Sequence, residues 1–307
     1  MTQNSLNAEF LFVKFPLIFP LIYGFILYTA PDFEIYLIFF TVLILAETHF
    51  GATWPFFLNK SNSSYIKENR IPLIFFPILI TSLSLIGFVF FKPTFLLVFF
   101  AANIYHVTRQ SFGICKLYSK NSFDIKFQEL FIYIFNFLFF LIGFFRFYFP
   151  FISETDLITL NLIIVLLILF VLIIHLVKFR ESQGIYTFFI GLIIFYPICF
   201  VGNPVHAIIM GVTMHYTQYL YLTYKVFKGR KGNSTIETSK SRYFWVIIFY
   251  SAVMSSLSLL GKSSSEILNF LIIVPIIGQM LHFYLDSQLW KFSNPHNREN
   301  VYNYIKN

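Results

Sequence analysis

Histidines inside apolar segments are the residues of this chain best suited to chemistry. Six of the seven lie in such segments, where an ionisable side chain is costly and usually marks a functional site. In the last segment His282 and Asp286 stand four residues apart, so on a helix they share one face and could hold a common ion or hydrogen bond. The pair predicts a polar site that could bind a metal.

Three further histidines match His282 in depth within their own segments. At about 1.5 Å of rise per residue, His282 lies roughly 12 Å from the inner end of its helix, and His106 and His215 lie roughly 16–18 Å from theirs. His49 lies about 14 Å deep if its apolar run extends to residue 58. Because the four come from separate segments, we predict that they bind one metal, with Asp286 as a fifth ligand or as a partner behind the ligands.

Polar side chains cluster around these histidines. Gln, Thr and Tyr neighbours could orient the imidazoles by binding their second nitrogen. Arg109 could pair with an acidic residue or bind an anionic head group. For a single histidine the common alternative is an interhelical hydrogen bond. The residues predicted to support the metal or contact the substrate are Glu47, Thr53, Arg109, Gln110, Gln218 and Tyr219.

Composition defines the elements that must position these residues. The chain has 307 residues, 57% hydrophobic and 12% charged, with a mean hydropathy of +0.72, which excludes an ordinary soluble domain. Open sheet edges cannot face lipid, so we predict an all-α integral membrane protein, a single transmembrane helical domain over residues 1–307. The net charge of +8 comes from short loops between apolar segments, so we expect a topological role for it and no nucleic-acid partner.

Ten apolar segments are long enough to span a bilayer, which needs about 20 residues. Lys and Arg concentrate in alternate loops, most of all in residues 225–242, which predicts that both termini lie in the cytoplasm. We expect the protein in the cell's inner membrane. We expect His175, Lys14 and Arg146 at the membrane interface. The predicted spans are 10–30, 32–52, 71–91, 94–117, 127–151, 157–178, 184–201, 204–227, 242–260 and 266–290.

The separation of His49, His106 and His215 resembles that of the Brp/Blh type of β-carotene dioxygenase. Those proteins are polytopic, and their iron sits on histidines from several helices. The resemblance implies non-haem iron and the oxidation of a hydrophobic molecule. It covers histidine number and rough spacing, because the close histidine pair on that family's third ligand helix is absent: position 219 is Tyr. The HxxxH and HxxHH clusters of membrane desaturases are also absent.

Three functions fit this pattern. The leading hypothesis is a membrane oxidoreductase of oxygenase or hydroxylase type, which uses iron (Fe²⁺), with zinc as the alternative metal, on a hydrophobic or lipid-like substrate. The second is a transporter or binding protein with an intramembrane His/Arg/Asp relay. The third is a zinc-dependent membrane hydrolase, although the chain has no HExxH motif. None of the three assigns a catalytic residue.

Overall fold

The computed structural model describes residues 3–57, 62–119, 122–149, 151–179, 184–230, 240–261 and 266–306. Over these ranges every regular element is a helix, so the all-α prediction is confirmed. The α-helices are α1 Gln3–Glu9, α2 Ile18–Thr29, α3 Glu34–Thr41, α4 Glu47–Gly51, α5 Trp54–Phe57, α6 Ser63–Glu68, α7 Phe76–Phe90, α8 Lys92–Tyr118, α9 Ser122–Gly143, α10 Glu154–Lys178, α11 Ile185–Ile193, α12 Pro204–Gly229, α13 Lys240–Leu260, α14 Glu266–Asn269, α15 Ile273–Leu289, α16 Pro295–Asn297 and α17 Asn303–Lys306.

Short π-helical and 3-10 segments join several of these helices end to end. As a result, one continuous helical stretch can contain more than one element. The π-helical segments are Phe10–Lys14, Val42–Ala46, Ile71–Phe75, Phe144–Tyr148 and Arg298–Tyr302, and the 3-10 segments are Pro31–Phe33, Tyr196–Cys199 and Phe270–Ile272.

Six helical stretches in the described ranges are long and apolar enough to cross a membrane, and a bent pair, Leu6–Lys14 with Ile18–Thr29 at 59°, would make a seventh. Their outward side chains are apolar: in the most apolar stretch, Thr155–Lys178, only 22% of the central window is buried. Such surfaces belong in lipid, so the chain is an integral membrane protein. The six are Pro31–Phe57, Ile71–Phe90, Ser122–Tyr148, Thr155–Lys178, Tyr243–Leu260 and Phe270–Leu289.

The remaining predicted spans fall on helices of a different character. The helices α8 and α12 have 27 and 26 residues, which is about 40 Å of length, but they contain the polar runs around His106 and His215. The stretch Ile185–Cys199 is apolar but short. The count of ten spans therefore stays a prediction. Several loop residues behind it, namely Lys60, Lys120, Arg180, Lys262 and residues 231–239, lie outside the described part of the chain.

Internal contacts divide the chain into two compact units. Unit 1 comprises Met1–Ile38 and Ile104–Gln218, and unit 2 comprises Phe39–Asn103 and Tyr219–Asn307. The prediction of one domain over residues 1–307 stays a prediction.

Close backbone packing organises unit 1. A Cβ atom at Gly211 of α12 would lie 1.9 Å from the carbonyl oxygen of Ile194, just after α11, so only glycine allows this approach. Asn136 of α9 donates from Nδ2 to the carbonyl of Gly191 at 2.9 Å, which ties α9 to α11. Together these contacts hold α9, α11 and α12 in place.

Arg146 lies near the end of its helical stretch and donates hydrogen bonds to backbone carbonyls of another segment. Its Nη1 atom donates to the carbonyls of Ile198 at 2.6 Å and Val201 at 2.7 Å, both in the connection before α12. These bonds tie Arg146 to the connection before α12, and the interfacial position that we expected for it stays a prediction. A guanidinium suits this purpose because it offers several donors in a rigid plane.

In unit 2, Tyr250 of α13 packs against α4 and α15. Its ring lies between two glycines, because a Cβ atom at Gly51 of α4 would lie 3.0 Å from its Cδ1 atom and one at Gly278 of α15 would lie 2.6 Å from its hydroxyl oxygen. A cluster of Phe88, Phe95 and Ile273 joins α7, α8 and α15. This packing places α4, with Glu47 and His49, beside the helix that carries His282 and Asp286.

Candidate metal site

His49 and His282 form a buried pair of imidazoles in unit 2. Their ring centroids lie 4.4 Å apart at an interplanar angle of 66°, and the residues are 0% and 1% exposed. One nitrogen of each ring lies within 4.8 Å of one nitrogen of the other. Two imidazoles on one ion, with bonds of about 2.0–2.1 Å, have their ligand nitrogens no more than about 4.2 Å apart. The pair is therefore close to the separation that a shared metal requires.

A chain of hydrogen bonds connects His282 to Asp286. Tyr219 Oη donates to Asp286 Oδ1 at 2.6 Å, Thr53 Oγ1 lies 2.8 Å from Tyr219 Oη, and Thr53 Oγ1 lies 2.8 Å from His282 Nδ1. Tyr219 has one hydroxyl proton and directs it to the carboxylate, so Thr53 donates to Tyr219 and accepts from His282. This order assigns the proton of His282 to Nδ1 and leaves the lone pair on Nε2, the atom that would bind a metal.

Asp286 accepts a second hydrogen bond that strengthens this order. Trp290 Nε1 donates to the same Oδ1 atom at 2.6 Å, and an indole nitrogen is only ever a donor. Asp286 is 1% exposed, and two donors at short distance stabilise a buried carboxylate. Asp286 therefore lies behind His282 as the acceptor at the end of the chain.

Three elements supply the members of this chain. Thr53 comes from the turn between α4 and α5, Tyr219 from α12, and His282 with Asp286 from α15. The sequence predicted that His282 and Asp286 share a face and that Thr53 and Tyr219 lie near the histidines. The order of the four groups depends on how the three elements pack.

Glu47 lies near this hydrogen-bond chain, but its side chain contacts Gln279. It is 0% exposed, and its Oε1 atom accepts from Gln279 Nε2 at 3.3 Å. Its Oε2 atom has no hydrogen-bond partner within the described residues. The structure thus brings Glu47 next to α15, where it contacts the side-chain amide of Gln279.

In unit 1 the structure brings together the other two predicted ligands. The ring centroids of His106 and His215 lie 5.5 Å apart at an interplanar angle of 87°, and the residues are 7% and 1% exposed. The helices α8 and α12 supply one ring each. The prediction that all four histidines bind one ion stays a prediction.

Three predicted neighbours of this second pair have different surroundings. Gln218 is buried and donates from Nε2 to the carbonyl of Val13 at 2.8 Å, so its amide nitrogen binds backbone. The Nε2 atom of Gln110 has no hydrogen-bond partner in the described part of the chain. Arg109 is exposed. Their predicted contacts with imidazoles or substrate stay predictions.

Two further histidines are buried in contacts that the sequence analysis missed, His175 with the buried Asp124 and His206 with the partly exposed Glu34. We expected His175 at the membrane interface, which was wrong: it is 0% exposed and its Nε2 atom lies 2.7 Å from Asp124 Oδ1. Gln128 Nε2 donates to the same Asp124 oxygen at 2.9 Å. The four-residue spacing of Asp124 and Gln128 on α9 was the available clue. His206 lies 2.7 Å from Tyr23 Oη and 2.7 Å from Glu34 Oε1.

The chain matches no protein-family model, and no curated protein or solved structure matches it significantly. The resemblance to the Brp/Blh β-carotene dioxygenases is therefore untested and stays a prediction.

Proposed function

We propose that this integral membrane protein is a metal-dependent oxidoreductase. The observation that supports the proposal best is the hydrogen-bond chain from His282 through Thr53 and Tyr219 to Asp286. A carboxylate that fixes the tautomer of an imidazole is the usual arrangement behind a metal-binding histidine. His49 lies beside His282 in the position of a second ligand.

Iron is the metal that we propose, with zinc as the alternative. Neutral imidazoles with a carboxylate nearby suit both ions, and non-haem Fe²⁺ with open positions activates dioxygen. The sequence-based ligand set of His49, His106, His215 and His282 belongs to this proposal. The contacts of Asp286 favour a place behind the ligands over direct ligation.

The proposed substrate is a hydrophobic or lipid-like molecule that enters from the bilayer and is oxidised with dioxygen. Support comes from the apolar outer surfaces of the spanning helices. The site sits among helices, so surrounding protein would exclude water from the reaction. We also propose ten spans with both termini in the cytoplasm, on the distribution of Lys and Arg among the loops. The membrane that we propose is the inner membrane of the cell.

A transporter with a proton relay is the second candidate, and the same hydrogen-bond chain favours it. Four groups from His282 to Asp286 in continuous contact could pass a proton between them. pH-dependent uptake into liposomes by metal-free protein would support this candidate over the first. Bound zinc together with hydrolysis of a lipid ester or amide would support the third hypothesis, a hydrolase.

Metal analysis of the purified full-length protein tests the leading proposal. We expect about one iron per chain in the wild type and a loss of at least tenfold in His49→Ala and His282→Ala. Oxygen consumption with added membrane lipids, measured on iron-loaded protein, then tests the redox activity.

His206→Ala and His175→Ala are the matched controls. Both replace a buried histidine, but each of these histidines pairs with a carboxylate elsewhere in unit 1, so metal content should not change. Wild-type protein with intact histidines and no iron, zinc or copper above trace would overturn the proposal. Equal metal loss in all four variants would assign the effect to misfolding.

A further inference from the structure

Arg230, just after α12, is a buried cation in unit 2. It is 1% exposed. Its Nε atom donates to the carbonyl of Asn300 at 2.9 Å, and Nη2 donates to the same oxygen. The rings of Phe56 and Phe227 lie 5.1 and 5.5 Å from the guanidinium carbon. Burial lowers its pKa to about 10, so the group stays charged at neutral pH.

No carboxylate in the described ranges forms an ion pair with Arg230, whereas His175 and His206 each pair with one. A guanidinium removed from water is strongly disfavoured unless an anion or several acceptors replace the lost hydration. One carbonyl oxygen and two aromatic faces leave most of that requirement unmet. The arrangement is typical of a site that receives an anionic group.

A cavity lies against this guanidinium. Its volume is about 20 Å³, and its polar lining consists mainly of Asn62, Tyr65, Arg230, His296 and Asn300. A water-sized group needs about 10–15 Å³, so one oxygen atom of a larger anion fits. The cavity contains no acidic lining residue, which is consistent with an anion rather than a metal ion.

The lining is held rigidly by its own contacts. His296 Nε2 lies 2.8 Å from Asn62 Oδ1, and its ring stacks on Tyr65 with centroids 4.0 Å apart at 2°. Asn294 Nδ2 donates to Tyr65 Oη at 2.8 Å. A site formed from α6, α12 and the C-terminal segment is therefore present without rearrangement.

The exposed charges next to the lining residues in sequence are mostly positive. Lys67, Arg70, Lys228, Lys291 and Arg298 are exposed near the lining residues in sequence, against two exposed acids, Glu68 and Glu299. By the distribution of Lys and Arg this end faces the cytoplasm, where anionic phospholipids give the membrane a negative surface potential. The exposed positive charges therefore attract an anionic group, which is also what the buried guanidinium requires.

We propose that this cavity binds one oxygen of a phosphate group, with Arg230 as the main contact and His296 as a neighbour. The phosphate belongs to an anionic phospholipid head group or to a free phosphate ion. The proposal is independent of the metal site, because it involves none of the proposed ligands.

The first test uses the wild-type chain, delipidated and full length. Native mass spectrometry measures binding of phosphatidylglycerol and of phosphatidylcholine, and a thermal unfolding series compares inorganic phosphate with chloride at equal ionic strength. At least tenfold tighter binding of phosphatidylglycerol assigns the site to a lipid. A rise in Tm with phosphate alone assigns it to the free ion. If neither effect occurs, the cavity holds water only and the proposal is overturned.

Two matched variants locate the effect. Arg230→Gln and Lys228→Gln remove the same charge two residues apart, but Lys228 is exposed. We expect at least tenfold weaker binding in Arg230→Gln and less than twofold in Lys228→Gln. Equal losses would assign binding to general surface charge and overturn the proposal. If Arg230→Gln does not fold, Arg230→Lys replaces it, because it keeps the charge and loses the planar fork, and it should bind more weakly than Lys228→Gln.

Discussion

His282 and Asp286, four residues apart on α15, are joined through the hydroxyls of Thr53 and Tyr219, which come from two other parts of unit 2. The carboxylate at one end determines the direction of every proton in the chain. The lone pair of His282 therefore lies on Nε2, the atom that would bind the proposed metal. His282 and Asp286 are therefore coupled, although the hydrogen bonds between them pass through residues of other elements.

Asp286→Asn should weaken metal binding by about 10–100-fold, the usual effect of losing a carboxylate behind a histidine ligand. The neutral amide is a weaker acceptor for Tyr219 and no longer favours the Nδ1 proton of His282. Competition with a metal chelator measures the change. Ser287→Ala, next in sequence, removes a hydroxyl that donates to the Tyr284 carbonyl at 2.7 Å and accepts from Gln288 Nε2 at 3.3 Å, outside the hydrogen-bond chain, and should leave affinity unchanged. If the metal affinity of Asp286→Asn equals that of the wild type, the hydrogen-bond chain does not support metal binding.

Tyr219→Phe should lower the free energy of unfolding by about 1–3 kcal/mol, because it leaves a buried carboxylate with one donor fewer. The ring contact with His49, at 4.4 Å between centroids, would remain. Denaturation in detergent micelles measures the change. Tyr224→Phe removes a hydroxyl of a half-buried tyrosine on the same helix and should cost less than about 0.5 kcal/mol.

Asp124→Asn should destabilise the protein by about 3–5 kcal/mol, because the 2.7 Å pair with His175 is buried and loses one partner. Metal content should not change, since neither residue belongs to the proposed ligand set. Glu129→Gln alters an exposed carboxylate on the same helix and should be near neutral. Loss of metal in a folded Asp124→Asn protein would contradict the separate roles assigned to the two sites.

Gly211→Ala should destabilise the protein by more than about 3 kcal/mol, beyond ordinary overpacking, because its Cβ atom would lie 1.9 Å from the Ile194 carbonyl oxygen. The obstacle is backbone, which cannot rotate away. Gly113→Ala is the control: apart from its chain neighbours and the nearby backbone of its own helix, no atom in the described part of the chain lies within 4 Å of the added carbon, so better helix propensity should stabilise α8 by about 0.5–1 kcal/mol. Yield and Tm of the two variants measure the contrast.

Acid should destabilise the C-terminal segment through His296. Burial and then the charge of Arg230 lower the pKa of His296, while Glu299 and Glu68 oppose this. A histidine with a folded-state pKa below its unfolded value of about 6.5 contributes stability above that pH, and the contribution is lost as the pH falls through the folded pKa. Tm should therefore fall below about pH 6.5, and less steeply in His296→Asn. Equal slopes for both proteins would contradict this.

Several features of the protein could be predicted from its residues alone. Long apolar runs require backbone hydrogen bonds within each segment, so the all-α membrane fold followed from composition and was confirmed. The pairing of His282 with Asp286 on one helix face followed from their spacing, since helical geometry is local. The burial of Thr53 and Tyr219 beside His282 was consistent with their place next to histidines in the sequence.

Contacts between distant segments could not be predicted in the same way. His175 was expected at the interface because Lys178 follows it, and its partner Asp124 is 51 residues away. Gln218 donates to the carbonyl of Val13, 205 residues away, and nothing in the sequence indicated this contact. Arg230 lies in a basic loop, and nothing in the sequence indicated that a cavity lies against it.

The sequence by itself determined the all-α membrane class and supplied the candidate ligands, because hydrophobicity and helix periodicity act over a few residues. The tertiary structure alone decided which donors meet which acceptors. Hydrogen-bond direction depends on distances of about 3 Å between side chains, and those distances arise only when separate helices pack. The order from Asp286 to His282 and the buried guanidinium of Arg230 are both products of that packing.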